Sequence, residues 1–198
     1  MLSSLVNLNE ATRRAYDQLA DRLIVIAQRT PYSNLPGYQN RWWLVQPINR
    51  LGYHFSARIH QILRSDLDRH HHDHPYNSMS LILKSSYLEK MPRRQHQPPF
   101  LDNQGHTSSK LRRPGDIVFR SATNRHSLEM VDGHCWTLFI FFGRKNKPWG
   151  FHTHSGWVWW RIYLKDWDGI THEEITRAES RDPLVRFSIP AQVLALLP

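Results

Sequence analysis

Histidines crowd one short stretch, His70-His71-His72-Asp73-His74-Pro75, just ahead of the apolar run Met79-Ser80-Leu81-Ile82-Leu83. Side chains alternate faces along an extended chain, so His72 and His74 point the same way and offer two imidazole nitrogens to one metal ion. Two ligands rarely hold a divalent ion against water, so a third must come from a segment remote in sequence that returns to the same face. Downstream, Pro114-Gly115-Asp116 reads as a turn, Ile117 to Arg120 as a strand, and Asn124-Arg125-His126-Ser127-Leu128 as the start of another. His126 is the natural third ligand.

Other residues fall within reach of such a centre. Tyr87 and Glu89 share one face of the strand after His74 and could act as proton donor or base at the pocket mouth, or face solvent as a pair. Arg58 and His60 share a face of an earlier strand, and Arg120 alternates with Phe119. These three are candidate substrate-binding residues, because a guanidinium inside the pocket grips a carboxylate or phosphate, although surface arginines are the commoner case. Asp73 faces away from His72 and His74, where it either orients a neighbouring histidine or is solvated. A second closely spaced pair, His152 and His154, has no evident distant partner and reads as loop or rim. No residues are assigned to an organic cofactor.

The elements around these residues carry a resemblance. 'HDHPYNSMSLILKSSYLE' and 'PGDIVFRSATNRH', within residues 55 to 143, resemble the two motifs of the cupin superfamily, small β-barrels with a metal inside. The position where the first cupin motif carries a glutamate ligand holds Ser78 and Met79 here, so the resemblance implies a three-histidine site like that of thiol dioxygenases in the superfamily. 'RWWLVQP', 'ARIHQILRSDLDRHHHDHP', 'RRPGDIVFR', 'CWTLFIFFG' and 'WGFHTHSGWVWW' resemble small cupins of phage and prophage genomes, a likeness that bears on the fold and leaves the reaction to the residues.

Length and composition agree with such a fold. A chain of 198 residues suits one domain with a real core, and 12% aromatic content with eight Trp favours a β-rich interior. The formal charge of +9 attracts anionic ligands, nucleic acid or acidic surfaces without selecting among them. Basic residues occur as scattered pairs (Arg13-Arg14, Arg93-Arg94, Arg112-Arg113), which favours a soluble basic surface over a nucleic-acid platform. Cys135 is the only cysteine, so no intramolecular disulfide forms and a reducing, cytoplasmic setting fits. It lies in an apolar run, as a buried structural thiol would. No run approaches the roughly 20 apolar residues that cross a bilayer, and no membrane partner is expected.

Along the chain, Asn7 and Glu10 form a capping pair, and Tyr16, Leu19, Ala20, Leu23, Ile24 and Ala27 recur at helical spacing. One amphipathic helix over about residues 8 to 29 is expected on the outside of the barrel, ended by Pro31, Pro36 and Gly37. Strands are expected at 41–48, 55–64, 78–90, 116–120, 125–131, 135–143 and 156–164, with 91–110 as an exposed polar loop. Thr171-His172-Glu173-Glu174 starts a short helix toward Glu179, and the apolar tail 184–198 suits docking on the domain or on a second subunit of a homodimer. The scheme is an N-terminal helix and connector (1–40), one mainly β, cupin-type jelly-roll barrel (41–164), and a C-terminal helix and tail (165–198).

These readings favour a metal-dependent oxygenase acting on a small anionic molecule, with Fe(II) preferred and Ni, Mn or Zn as other ions. The alternatives are a sugar or nucleotide-sugar isomerase or epimerase, and a non-catalytic module that uses the basic surface to bind a small ligand or nucleic acid. Trp149, Trp157, Trp159 and Trp160 are read as core or interface packing ahead of stacking on a planar substrate. Asp116 is read as a turn residue bonding backbone amides.

Overall fold

The structure, a computed structural model, describes residues 10–30, 34–35, 37–66, 70–92, 107–153, 156–160 and 162–163. The helical spacing read from the sequence produces α1 over Glu10–Ala27, with Ala20, Ile24 and Ala27 buried along one stripe. Its last turn is closed by the Thr30 hydroxyl, which donates to the Ala27 carbonyl at 2.9 Å. No described helix is long and apolar enough to cross a membrane.

Ten strands follow: β1 (Gln39–Arg50), β2 (Tyr53–Ile62), β3 (Asn77–Lys84), β4 (Tyr87–Pro92), β5 (Thr107–Arg112), β6 (Ile117–Arg120), β7 (Ser127–Met130), β8 (Cys135–Arg144), β9 (Gly150–Thr153) and β10 (Gly156–Trp159). All pair antiparallel, in a five-stranded sheet of order β1-β2-β8-β3-β6, a three-stranded sheet of order β5-β4-β7 and the β9–β10 hairpin. The histidine segment 71–74 joins the smaller sheet through a bridge between His72 and His126, and its other edge bridges to Phe151 of β9.

With that segment counted, successive strands alternate between the sheets: β2 in the larger, 71–74 in the smaller, β3 back in the larger, then β4 and β5, β6, β7 and β8. That winding is a jelly roll. The chain is mainly β, and the two sheets face one another without closing into a continuous barrel among the described residues. The Pro114-Gly115-Asp116 turn forms as read: Gly115 takes φ +88°, a conformation that favours glycine, and the Asp116 carboxylate accepts the Arg113 amide at 2.9 Å.

Some expectations need correction. The run 78–90 is two strands in different sheets, broken at Ser85, whose φ is +60°. The stretch 91–110 is not all loop: β4 continues to Pro92, and β5 pairs with it from Tyr87↔Arg112 to Pro92↔Thr107. As a polar edge strand β5 lacks the apolar alternation that marks a half-buried strand. The segment read as 156–164 forms β10 only to Trp159, and His152, taken for loop or rim, lies in β9. His154, Asn7, the helix expected near 171–179 and the tail 184–198 lie outside the described residues.

Two cores result. On its outer face, the larger sheet packs Ile59 and Leu83, flanked by Trp42, Leu81, Trp136 and Leu138, against Ala20, Ile24 and Ala27 of α1. Its inner face looks toward the smaller sheet and is mixed: Phe139 and Phe141 lie among buried Ser56, Arg58, His60, Ser78, Ser80, Arg120 and Thr137.

Candidate metal centre

Segment 71–74 and the residue that leads into β7 bring His72, His74 and His126 together, with one ring nitrogen of each within 4.8 Å of the others. The backbone fixes the register, because His72 and His126 exchange N–H···O bonds of 2.9 and 3.0 Å. His74 Nε2 approaches His126 Nε2 to 2.9 Å. Nitrogens that share one ion at right angles, each about 2.1 Å from it, would stand roughly 3 Å apart.

Carboxylates back two of the rings. Asp66 Oδ2 lies 3.6 Å from His72 Nδ1, and Glu89 Oε1 lies 3.2 Å from His126 Nδ1. Neither contact is a well-formed hydrogen bond, the first being too long and His126 Nδ1 meeting no partner of good geometry among the described residues, so the carboxylates act as nearby negative charges that favour a proton on Nδ1 and leave Nε2 to the centre. Asp66 is itself fixed, accepting the Leu128 amide at 2.8 Å and the Tyr38 hydroxyl. Burial lowers all three histidines, opposed at His72 by Asp66 and Asp73, reinforced at His74 by His126 and His72, and reinforced at His126, which falls to about 3, by Arg120 and His72. The rings are therefore neutral near pH 7, the state that donates to a metal. Three neutral imidazoles, two backed by carboxylates, fit a first-row divalent ion.

Tyr87 and Glu89 share a face as read, but they lie inside the sandwich, each 1% exposed, and not at a mouth. Glu89 accepts Arg120 Nε at 2.6 Å and Arg112 Nε at 2.7 Å. Burial alone would raise its pKa. Contact with His126 and the two guanidinium charges instead hold it far below the carboxylate range. Arg120 also donates to Ser80 Oγ at 3.0 Å and to the Tyr87 hydroxyl at 3.3 Å. Its donors therefore serve the protein, where the sequence offered it as a substrate grip. Tyr87 is pushed up to about 12 chiefly by burial.

Arg58 and His60 also line the interior. The Arg58 guanidinium lies 5.0 Å from the Trp43 ring centre and 4.9 Å from that of Phe141. His60 stacks on Phe139 at 4.9 Å, and Phe139 in turn lies 5.6 Å from His74. Burial, then Arg58 and Arg41, lower His60 well below its ordinary value. Its buried Nε2, like Ser78 Oγ, meets no hydrogen-bond partner among the described residues. Such atoms mark a place where a ligand or water belongs.

Sequence reasoning did not find Asp66, whose only signal was a carboxylate just upstream of the histidine run. Nor did it find the second environment of His72, whose ring lies 6.2 Å from Trp149 and 6.0 Å from Phe151, centre to centre. Asp73 points away from the centre as expected, but it is fully buried and not solvated. Cys135 is buried, its thiol pushed up to about 12 by that burial.

No protein-family model and no curated protein matches the sequence. Solved structures similar to part of the chain include hydroxypropylphosphonic acid epoxidase from S. wedmorenis, at 13% identity and TM-score 0.43, covering 59% of this chain and 56% of that one. The DMSP lyase DddQ from Ruegeria pomeroyi is similar at 18% identity and TM-score 0.40, covering 57% and 50%. A cupin superfamily protein from Desulfitobacterium hafniense is similar at 12% and TM-score 0.37, covering 52% and 75%. The chain thus spans about half the length of the first two proteins. The chain's own strand winding is a jelly roll, with the paired segments that carry His72, His74 and His126 on its smaller sheet.

Proposed function

We propose that the chain is a metal-dependent oxygenase of the cupin type, in which His72, His74 and His126 hold Fe(II) and a small anionic molecule reacts with dioxygen. The observation that carries this reading is the convergence of three neutral imidazoles inside a sandwich whose facing wall is polar. A divalent ion held by only three protein ligands supplies Lewis acidity and leaves coordination positions open; Ni, Mn or Zn would fit the same nitrogens.

The chain's own groups have separable parts. Asp66 and Glu89 orient His72 and His126 from behind, and Arg120 with Arg112 keeps Glu89 ionised and in place. The anionic substrate lies over Phe139 and Phe141, where Arg58 supplies charge and His60 Nε2 and Ser78 Oγ supply hydrogen bonds. An isomerase would need a free base, and the three groups considered for that part, Tyr87, Glu89 and His126, are committed elsewhere: Glu89 is held between two guanidinium groups, Tyr87 titrates only near 12, and His126 stands with His72 and His74 in the metal centre.

Two measurements test this. Metal content of protein purified without added metal should fall together in His72→Ala and His126→Ala; unchanged content in both would reject the centre. Oxygen uptake by the Fe(II)-loaded chain should rise with at least one member of a panel of small carboxylic and phosphonic acids, and should return to background in His126→Ala. Uptake no greater than that of free iron across the panel would leave the metal site standing and remove the oxygenase.

A further inference from the structure

The side chain between the two neighbouring ligands points the other way into a site of its own. Asp73 is fully buried, and its carboxylate gathers donors from one short segment beyond β8. Lys147 Nζ lies at 2.6 Å and His152 Nε2 at 2.7 Å from Oδ2, while the Gly150 amide donates to Oδ1 at 3.0 Å. Trp157 Nε1 stands at 3.5 Å. The backbone follows the same seam: the Asp73 amide donates to the Gly150 carbonyl at 3.0 Å and the His152 amide to the His71 carbonyl at 2.9 Å. Gly150 permits β9 to lie this close to β10 in the hairpin, since a Cβ there would stand 2.3 Å from the Val158 carbonyl oxygen and 2.6 Å from the Trp157 ring.

Without the β9–β10 hairpin, segment 71–74 would be a short edge beside β7, and edge segments fray. With the hairpin in place the segment is paired on both sides, and Trp149 and Phe151 flank His72.

We propose that Asp73, with Lys147 and His152, is a positioning residue that clamps the β9–β10 hairpin to the histidine segment and so sets the geometry and affinity of the metal centre. The proposal rests on the three-histidine reading above. Asp73 points away from the ligand rings, and although its charge reaches His72 it is tied by hydrogen bonds to Lys147, Gly150 and His152, so it acts chiefly by fixing the backbone from which His72 and His74 project.

Co(II) titration of the full chain tests the clamp, with affinity taken from competition with a chelator and geometry from the visible absorption of the bound ion. Asp73→Asn should weaken Co(II) binding about ten- to a hundredfold, the range for groups that support metal ligands, and should change the absorption band. Lys147→Met should shift both in the same direction by less. Ala27→Gly, which loosens the distant α1 core, is the control for mere destabilisation and should leave band and affinity as in the wild type. Should Asp73→Asn fail to fold, Lys147→Met and His152→Gln decide by the same readings. Folded variants with wild-type affinity and spectrum overturn the clamp alone. A wild-type chain that takes up no Co(II) overturns the proposed function, and the clamp with it.

Discussion

The two faces of the five-stranded sheet share the same strands and have opposite chemistry. Toward α1, β2, β3 and β8 present Ile59, Leu81, Leu83, Trp136 and Leu138, and α1 answers with Ala20, Ile24 and Ala27. Toward the smaller sheet, the alternate residues of β2 and β3 are Ser56, Arg58, His60, Ser78 and Ser80, all buried. Strands in a stability core have no use for a buried arginine and three buried serines, since each polar group out of water needs a partner to offset its desolvation. The outer face is therefore an apolar core, while the inner face buries polar groups, some paired within the protein, as Ser56 and Ser80 are, and some left, as His60 Nε2 and Ser78 Oγ are, for the ligand of the proposed function. This division makes distinct demands on each side, and substitutions can break it.

The largest effect is expected at the bridge between the two sheets. Arg120→Met leaves Glu89 buried with one cation fewer, and breaking a buried pair from one side costs roughly 3–5 kcal/mol. Urea unfolding should report that loss, and metal affinity should fall with it because Glu89 no longer holds His126 in place. A stable variant with unaltered metal binding would show that the network neither supports the fold nor orients the ligand.

Acid should act strongly on the inner face. In the metal-free chain His60 and His126 stay neutral far below the ordinary histidine value, His126 down to about 3, whereas the unfolded chain protonates them near 6.5. The unfolded state therefore binds more protons as pH falls. The stability these groups allow is complete above about pH 6.5 and is lost on the way down toward 3. Between pH 7 and 5 His126 should remove about 2 kcal/mol, His60 acts in the same direction, and Glu89, whose folded value is depressed, adds a further loss below about 4.5. Denaturation of the metal-free chain at the two pH values checks this. A flat profile would mean that the histidines are not buried as neutral rings.

On the outer face Ile59→Ala should cost about 3 kcal/mol, the usual range for a fully buried isoleucine, with no effect on the metal bound per folded molecule. If the metal affinity of the folded fraction fell as well, the two faces would not be independent.

How much of this could be read from the chain follows the same division. The outer core was legible because Tyr16, Ala20, Leu23, Ile24 and Ala27 repeat at helical spacing and the strands carry apolar residues against them. The histidines were legible because His72 and His74 share a parity and a turn signal precedes His126. The roles of Glu89 and Arg120 were not, since strand parity says which face a side chain takes and nothing of which remote charge it meets there. Asp66 and Asp73 were harder still: each acts through a partner 60 or more residues away, Leu128 in one case and Gly150 in the other, and spacing along the chain carries no trace of that meeting. The strand β5 was missed because an edge strand with polar side chains looks like a loop.

The smallest effect runs in the opposite direction. His60 stacks on Phe139 within the inner face, stays neutral, and leaves its buried Nε2 without a partner among the described residues. If that nitrogen exists to meet a substrate, it is a liability in the empty protein. Phenylalanine at this position keeps the stacking surface and removes the unsatisfied atom, so His60→Phe should stabilise the metal-free chain by about 1 kcal/mol. The same variant should bind metal as the wild type does, because His60 is not a ligand, and should lose the oxygen uptake that an anionic substrate induces. Thermal unfolding, Co(II) titration and oxygen uptake on this one variant place His60 on one side of the division or the other. A loss of stability would mean that the ring nitrogen already serves the fold, and the inner face would then be a second structural core with an unusual composition.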